Sequence, residues 1–126
     1  IKNREIVEKI IDFLEIQAVR DHFVASLPYG KRKLVELGRA LALEPIVLVA
    51  ENPTRGLDVQ ATRAVHDRLR EAAARGLAVL VYSSDLDEVL TLGTRVVVMN
   101  RGQLVEAPPG ASRETIGRMM LGAGND

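Results

Sequence analysis

The stretch that decides the fold is IVLVAENPTRGLD, from Ile46 to Asp58. A short apolar run ends in Glu51 and Asn52, and Pro53 then opens a polar turn. An apolar run of this length, bounded by turn residues, predicts a strand that is buried on both faces. Ligands bind at the carboxyl ends of the strands in open parallel sheets. We therefore expect Glu51, Asn52 and the following turn to lie at the edge of the sheet where ligands bind.

Helical and apolar segments alternate on both sides of this stretch, which predicts an α/β fold with a largely parallel sheet. Pro45 ends the helix that precedes the first strand. Asn100-Arg101-Gly102 is typical of a tight turn before the short antiparallel strand. Ser84 or Asp85, and later Ser112, are suited to cap helices. The predicted helices cover residues 3–16, 30–43, 60–75, 85–90 and 112–121, and the predicted strands cover 46–50, 77–82 and 95–99, with a short antiparallel strand at 103–105.

Composition excludes several classes of partner. The 126 residues carry 17 basic and 17 acidic side chains, so charge gives no reason to expect nucleic acid or an anionic membrane surface. The apolar runs are too short to span a bilayer, which predicts no membrane insertion. The chain contains no Cys, which excludes disulfides and thiolate metal sites and fits a reducing compartment.

Four segments stand in an order that points to one family. LPYGKRKLVELGRALA begins at Leu27 and is followed by the strand, by the turn TRGLDV, and by VYSSDLDE from Val81. In this order and spacing they resemble the signature motif, the Walker B strand, the D-loop and the switch region of an ABC-transporter ATPase. The implied fold is a partial P-loop NTPase core with about three parallel strands flanked by helices, plus a remnant of the helical subdomain.

The resemblance implies a nucleotide-binding role for Pro28, Tyr29, Gly30, Lys31 and Asp58. In the family, ATP lies between two domains, and the signature of one domain faces ATP on the other. Backbone N–H groups at a helix start suit a phosphate. The usual signature is Leu-Ser-Gly-Gly-Gln, so the Ser hydroxyl and one Gly are missing here. The alternative interpretation is a Pro-initiated helix with an exposed basic face.

The catalytic positions are altered as well. Glu51 matches the family's magnesium-binding Asp, and Asn52 matches the Glu that polarises the attacking water. Ser84 matches the switch His. Because an amide is a poor base, we expect very slow hydrolysis at such a site. The alternative is that Glu51 and Asn52 are only polar residues at a strand end.

The phosphate-binding loop Gly-x-x-x-x-Gly-Lys-Ser/Thr is missing from this sequence. The only Gly-Lys pair is Gly30-Lys31, which has Ala25 at the first Gly position and is followed by Arg32. By resemblance the chain is a fragment, the second half of the ATPase domain, with residues 1–45 as helical subdomain and 46–126 as core. We expect ATP and Mg²⁺ to bind only with a partner that supplies the loop.

The family's phosphate-loop strand would lie between the strands at 77–82 and 95–99. We therefore predict either that these two strands pair directly or that a complementary chain fills the gap between them. Up to about Pro45 the chain looks like branched-chain amino-acid uptake ATPases, and beyond it like those of sugar or nucleoside uptake.

The implied function is to help drive solute uptake by an ABC importer. The implied partners are a second ATPase domain and membrane permease subunits, at the cytoplasmic face of the cell membrane. The alternative is a non-catalytic α/β interaction or regulatory domain.

Overall fold

The chain divides between Tyr82 and Ser83 into two units. The computed structural model describes residues 2–122. The first unit contains α1 (Lys2–Leu14), α2 (Tyr29–Leu41), β1 (Val47–Glu51), α3 (Val59–Ala74) and β2 (Ala78–Tyr82), with two single 3-10 turns between α1 and α2. The second unit contains α4 (Leu86–Leu92), β3 (Val97–Asn100), β4 (Gln103–Glu106) and α5 (Arg113–Met120). The predicted boundary at residues 45 and 46 stays a prediction.

In the first unit, β1 and β2 form a parallel pair. The register runs from Val47 opposite Ala78 to Glu51 opposite Tyr82. Helix α3 packs beside β2 and connects the two strands, as a parallel pair requires. The buried residues between the sheet and α3 include Leu48 of β1 and three residues of α3, Val65, Leu69 and Ala72.

The opposite face of this sheet is exposed. Val49 is 63% exposed and Leu80 is 60% exposed, and Val47 and Tyr82 are also more than half exposed. The prediction that the first strand is buried on both faces is therefore wrong. Sequence pattern shows that side chains are apolar, but burial also requires an element on each side of the sheet. Here one face of the sheet is solvent-accessible.

Helices α1 and α2 approach each other closely at Gly38. A methyl group at this position would lie 2.8 Å from Cδ1 of Leu14 and 3.1 Å from Cγ2 of Ile10. Both distances are shorter than ordinary contacts, so a larger residue at position 38 would require the side chains of Leu14 and Ile10 to shift. Leu14 and Leu34 are buried in the same helical region.

Arg68 of α3 holds the end of α1. Its Nη1 donates a hydrogen bond of 2.8 Å to the carbonyl oxygen of Phe13. The last carbonyls of a helix have no partner within the helix, so this bond satisfies one of them. The guanidinium groups of Arg68 and Arg75 also lie 5.7 and 4.7 Å from the centre of the Phe13 ring. The helical segment and α3 are thereby joined within one unit.

In the second unit, β3 and β4 form an antiparallel hairpin. Arg101 and Gly102 both have positive φ, as a tight hairpin turn requires. Val98, Ala107 and Ile116 form the core of this unit. Nδ2 of Asn100 lies 3.3 and 3.1 Å from the carbonyl oxygens of Met119 and Met120, which ties the hairpin to the end of α5.

Direct pairing of the strands predicted at 77–82 and 95–99 is wrong. Within residues 2–122, β2 pairs with β1 and β3 pairs with β4, in separate two-stranded sheets. Two strands of this part of the chain, β1 and β2, pair in parallel, whereas about three parallel strands were predicted. The parallel pair uses one edge of β2 and the hairpin uses one edge of β3, so each of these strands keeps one edge without a strand partner within residues 2–122. The option of a complementary chain stays a prediction.

The element boundaries agree with the predicted ones to within about two residues. Asp85 caps α4 by accepting from the N–H groups of Asp87 and Glu88, and Ser112 caps α5 by accepting from Thr115. The predicted short antiparallel strand is β4. None of the helices within residues 2–122 has the length and apolar character that a membrane span requires.

Candidate functional site

The chain turns sharply where β1 ends. Asn52 has a φ of 43°, in the left-handed region, and its N–H donates to the carbonyl oxygen of Tyr82 at 2.7 Å. The carbonyl of Asn52 accepts from the N–H of Arg55 at 3.2 Å, and that of Thr54 accepts from Leu57 at 3.0 Å. Gly56 has a φ of 79°. Hydrogen bonds within the turn itself therefore hold residues 52–57 in place.

Asp58 ends the turn and caps α3. Its Oδ1 accepts a hydrogen bond of 2.7 Å from the N–H of Ala61, and its carbonyl accepts from the N–H of Thr62 at 2.9 Å. A carboxylate suits the positive end of a helix. The nucleotide-binding role that the resemblance implies for Asp58 stays a prediction. Oδ1 of Asp58 is bound by the first turn of its own helix, and this hydrogen bond also fixes the direction in which the second carboxylate oxygen points.

Residues Leu27–Lys31 form the start of α2. Leu27 is buried and anchors the segment, and the carbonyl of Pro28 accepts from the N–H of Arg32 at 3.1 Å. Pro28 occupies the N-cap position without a side-chain cap. The first N–H groups of a helix lack partners within the helix. The backbone N–H groups at Tyr29, Gly30 and Lys31 are therefore oriented to meet an acceptor.

The structure brings this helix start beside the turn. A methyl group at Gly56 would lie 3.6 Å from Cε1 of Tyr29, and one at Gly30 would lie 2.7 Å from Cβ of Ala61. Helices α2 and α3 contact each other in the same unit. Seven of the eight predicted site residues belong to the first unit. Among them, Tyr29 lies beside the turn at Gly56, and Gly30 lies beside the first turn of α3 at Ala61.

Two cations lie against the Tyr29 ring. The charged groups of Arg32 and Lys33 are 5.7 and 5.5 Å from the ring centre. Partial burial opposes the charge of Lys33, but its hydrogen bond and charge interaction with Glu36, together with Tyr29, raise the pKa of its ammonium group. Lys33 therefore remains a cation beside the ring. An aromatic residue with basic residues three and four positions later on a helix is a recognisable pattern, so this contact was missed although the sequence contains a signal for it.

Glu51 is exposed at the carboxyl end of β1. It pairs in register with Tyr82, and the alternation of strand side chains places it on the face that carries Val47 and Val49. Within residues 2–122, no group of three His, Asp or Glu side chains is arranged to hold a metal ion. Magnesium is commonly held by one or two carboxylates together with substrate phosphates. A role for Glu51 in magnesium binding stays a prediction.

Ser84 lies in the second unit, next to the N-cap residue of α4. Its neighbour Ser83 donates a hydrogen bond of 2.5 Å from Oγ to Oε2 of Glu88, and the same Oγ accepts from the N–H of Asp85 at 3.1 Å. Glu88 is only 5% exposed. This buried carboxylate and the cap of Asp85 therefore order the loop around Ser84. Ser83 and Glu88 were not identified from the sequence.

The chain is 37% identical over 124 residues to a ribose import ATP-binding protein RbsA of Geobacillus kaustophilus, covering 96% of this chain. It is 32% identical over 123 residues to a glucose import ATP-binding protein TsgD13 of Haloferax volcanii, again over 96% of this chain. The chain is related to the ATP-binding proteins of ABC transporters. No protein-family profile matches it.

Solved structures agree with this relation. An ATP-binding cassette of an ABC transporter, MJ1267 in its ADP conformation, superposes with a TM-score of 0.79 and 30% identity over 96% of this chain. A nucleotide-free cassette superposes with a TM-score of 0.80 and 29% identity over 95% of it. The predicted fold class, an α/β ABC ATPase core, is confirmed.

The chain is shorter than these ABC proteins. It spans 25% of the Geobacillus protein and 22% of the Haloferax protein. It spans 47% of each of the two solved cassettes. The relatives named above are sugar import proteins, and the predicted resemblance of residues 1–45 to branched-chain amino-acid uptake ATPases is not confirmed.

Proposed function

We propose that this chain contributes the signature side of an ATP site in an ABC importer. ATP and Mg²⁺ would be held mainly by a second ATPase domain that carries the phosphate-binding loop. Gly30, Lys31 and Asp58 would face that nucleotide from this chain. The observation that carries the proposal is the contact of the α2 start with the turn that leads to Asp58, because both segments would have to face one ligand together.

The hydrogen-bond donors at the start of α2 could contact a phosphate but could not enclose it. The start of α2 offers backbone N–H groups and the cation of Lys31. It offers no cradle for the β- and γ-phosphates, since the Gly-rich loop is not in this sequence. Bound ATP would supply the phosphates that Lys31 and the N–H groups contact, and Mg²⁺ would suit the carboxylate of Glu51. Asn52 cannot accept a proton, so we expect very slow hydrolysis where it replaces a general base.

The partners follow from the same proposal. The exposed apolar face of the β1–β2 sheet supports a complementing segment or domain that covers it. Permease subunits would dock on the helical segment, and the protein would act at the cytoplasmic face of the membrane. The names of the ribose and glucose import relatives favour a sugar as the transported solute.

The first experiment is calorimetry with magnesium and ATP, on the isolated chain and on the chain mixed with an intact ABC ATPase domain. We expect no binding by the isolated chain and tighter ATP binding by the mixture than by the intact domain alone. ATP binding by the isolated chain would contradict the proposal.

Matched variants identify the groups involved. Lys31→Ala should remove the gain in ATP affinity of the mixture, whereas Lys9→Ala, at an exposed position of α1, should preserve it. Asp58→Asn retains a residue that caps helices well but removes the charge, so its effect on ATP binding can be separated from its effect on folding.

A second candidate is an interaction or regulatory domain without a nucleotide role. The observation that favours it is the presence of Asn52 and Ser84 at positions where the family has a base and a switch His. If the mixture binds ATP no better than the intact domain, and the chain still associates with it, this second function is favoured.

A further inference from the structure

The side chain of Tyr29 points toward the turn between β1 and α3 rather than standing free in solvent. Its Cε1 lies 3.6 Å from the place that a methyl group on Gly56 would occupy, so the ring edge is near the backbone of the turn. Tyr29 as a whole is still 45% exposed. The contact is thus at the surface, where the ring can affect the turn without forming part of the core.

The ring is held in this orientation by its own helix. Arg32 and Lys33 follow it by three and four residues on α2, and both charged groups lie within 6 Å of the ring centre. Lys33 is in turn held by Glu36 at 3.2 Å. These contacts do not involve the turn. The ring therefore lies in a preset position beside Gly56.

The backbone beneath the ring is also close to α3. A methyl group at Gly30 would lie 2.7 Å from Cβ of Ala61. The N–H of Ala61 is the donor that binds the Asp58 carboxylate. The start of α2 therefore meets α3 at the residue that completes the Asp58 cap, while Tyr29 meets the turn two residues before Asp58.

We propose that Tyr29 is a positioning residue that holds the turn at residues 52–58 against the start of α2. Lys31 and Asp58 are then presented as parts of one surface rather than on two independent segments. This positioning role adds to the proposed function. It rests on that function for the identity of the ligand that the surface would meet. The contact itself is independent of any ligand. Tyr29 acts through Gly56 and the turn, while its backbone N–H stays available at the helix start.

Amide hydrogen exchange on the isolated chain tests the contact directly. Arg55 and Leu57 are the reporters, because their N–H groups form the hydrogen bonds within the turn. Relative to buried amides of α3, we expect Tyr29→Ala to raise their exchange rates roughly fivefold or more. Tyr29→Phe should keep the wild-type rates, since the ring remains. Phe23→Ala, which removes an aromatic ring that is 86% exposed, is the matched control and should change neither amide.

Two results would overturn the positioning role. One is unchanged exchange at Arg55 and Leu57 in Tyr29→Ala. The other is that Tyr29→Phe exchanges as fast as Tyr29→Ala, because then the ring contact is not the cause. Normalising to the amides of α3 separates local loosening from loss of global stability. A double variant, Arg32→Gln with Lys33→Gln, removes both cations beside the ring and should raise the same two rates although the ring remains.

A second readout connects the contact with ATP. In the mixture with an intact ABC ATPase domain, Tyr29→Ala should weaken the gain in ATP affinity about tenfold, and Tyr29→Phe should restore it. If wild type gives the gain and Tyr29→Ala gives the same gain, the positioning role is overturned. If wild type gives no gain, the proposed function fails, and the exchange comparison alone decides the role of Tyr29.

Discussion

At the scale of single residues, Asn52 combines two unusual properties. It occupies the left-handed region and it directly precedes Pro53. Asn adopts the left-handed region more readily than most residues do. Its backbone is bonded on both sides, to Tyr82 and to Arg55. Asn52 therefore has a structural reason to be present that is separate from any role as a replacement for a catalytic Glu.

The backbone conformation of Asn52 gives a first prediction. Asn52→Gly should be more stable than Asn52→Ala by about 1 kcal/mol, because a left-handed conformation costs an L-residue roughly 1–2 kcal/mol and costs glycine little. Both variants remove the side-chain polar group, so the difference between them reports the backbone alone. Urea unfolding measures it. If the Ala variant is as stable as the Gly variant, residue 52 is not conformationally constrained.

At the scale of secondary-structure elements, ion pairs connect segments that are distant in sequence. Arg95, just before β3, forms two hydrogen bonds of 2.7 and 2.8 Å with the carboxylate of Glu106, at the end of β4. Arg20 and Glu8 form a similar pair in the helical segment. All four groups are exposed, so each pair contributes little to stability and its contribution depends on salt.

The Arg95–Glu106 pair gives a prediction for pH. The hydrogen bond from Arg95, followed by its charge, lowers the pKa of Glu106 below its ordinary value of 4.5. A lowered pKa in the folded state favours folding above the unfolded value, and this contribution is lost as pH falls through the folded value. We expect wild type to exceed Glu106→Gln in stability at about pH 6, with the difference shrinking at about pH 3.

Urea unfolding at both pH values checks this prediction, and the same comparison in an Arg95→Gln background is the control. In that background the pH-dependent difference should disappear, because the partner that lowers the pKa is gone. An equal difference between wild type and Glu106→Gln at both pH values would contradict the assignment.

At the scale of the whole chain, both two-stranded sheets expose apolar side chains. In the first unit these include Val49 and Leu80, and in the second unit Met99 and Leu104. Exposed apolar surface and unpaired strand edges favour association. A chain in this form should therefore bind to itself or to a complementing segment.

Substitutions on the two faces of β1 test this expectation. Val49→Lys, on the exposed face, should change the free energy of unfolding by no more than about 1 kcal/mol and should reduce self-association. Leu48→Ala, on the buried face, should cost about 2–5 kcal/mol. Sedimentation and urea unfolding measure the two effects. If Val49→Lys destabilises the monomer as much as Leu48→Ala, the exposed face is packed in solution.

Local chemistry made part of this structure predictable. The caps at Asp85 and Ser112 and the turn at Asn100–Gly102 follow from side-chain hydrogen bonding and glycine geometry within a few residues. The α/β class followed from the alternation of segments. The exposure of Val49 could not be predicted, because it depends on what packs above the strand. The contact of Tyr29 with Gly56 joins residues 27 positions apart, and such contacts are set by tertiary packing.

The close approach of Gly30 and Ala61 limits how this sequence can diverge. A methyl group at position 30 would lie only 2.7 Å from Cβ of Ala61. We expect a larger residue at position 61 to press on the backbone at position 30 in turn. Substitutions at the two positions are therefore coupled. Among homologues that keep this helix contact, position 61 should be confined to Ala, Gly or Ser wherever position 30 is Gly. Homologues with larger residues at both positions must have moved the two helices apart.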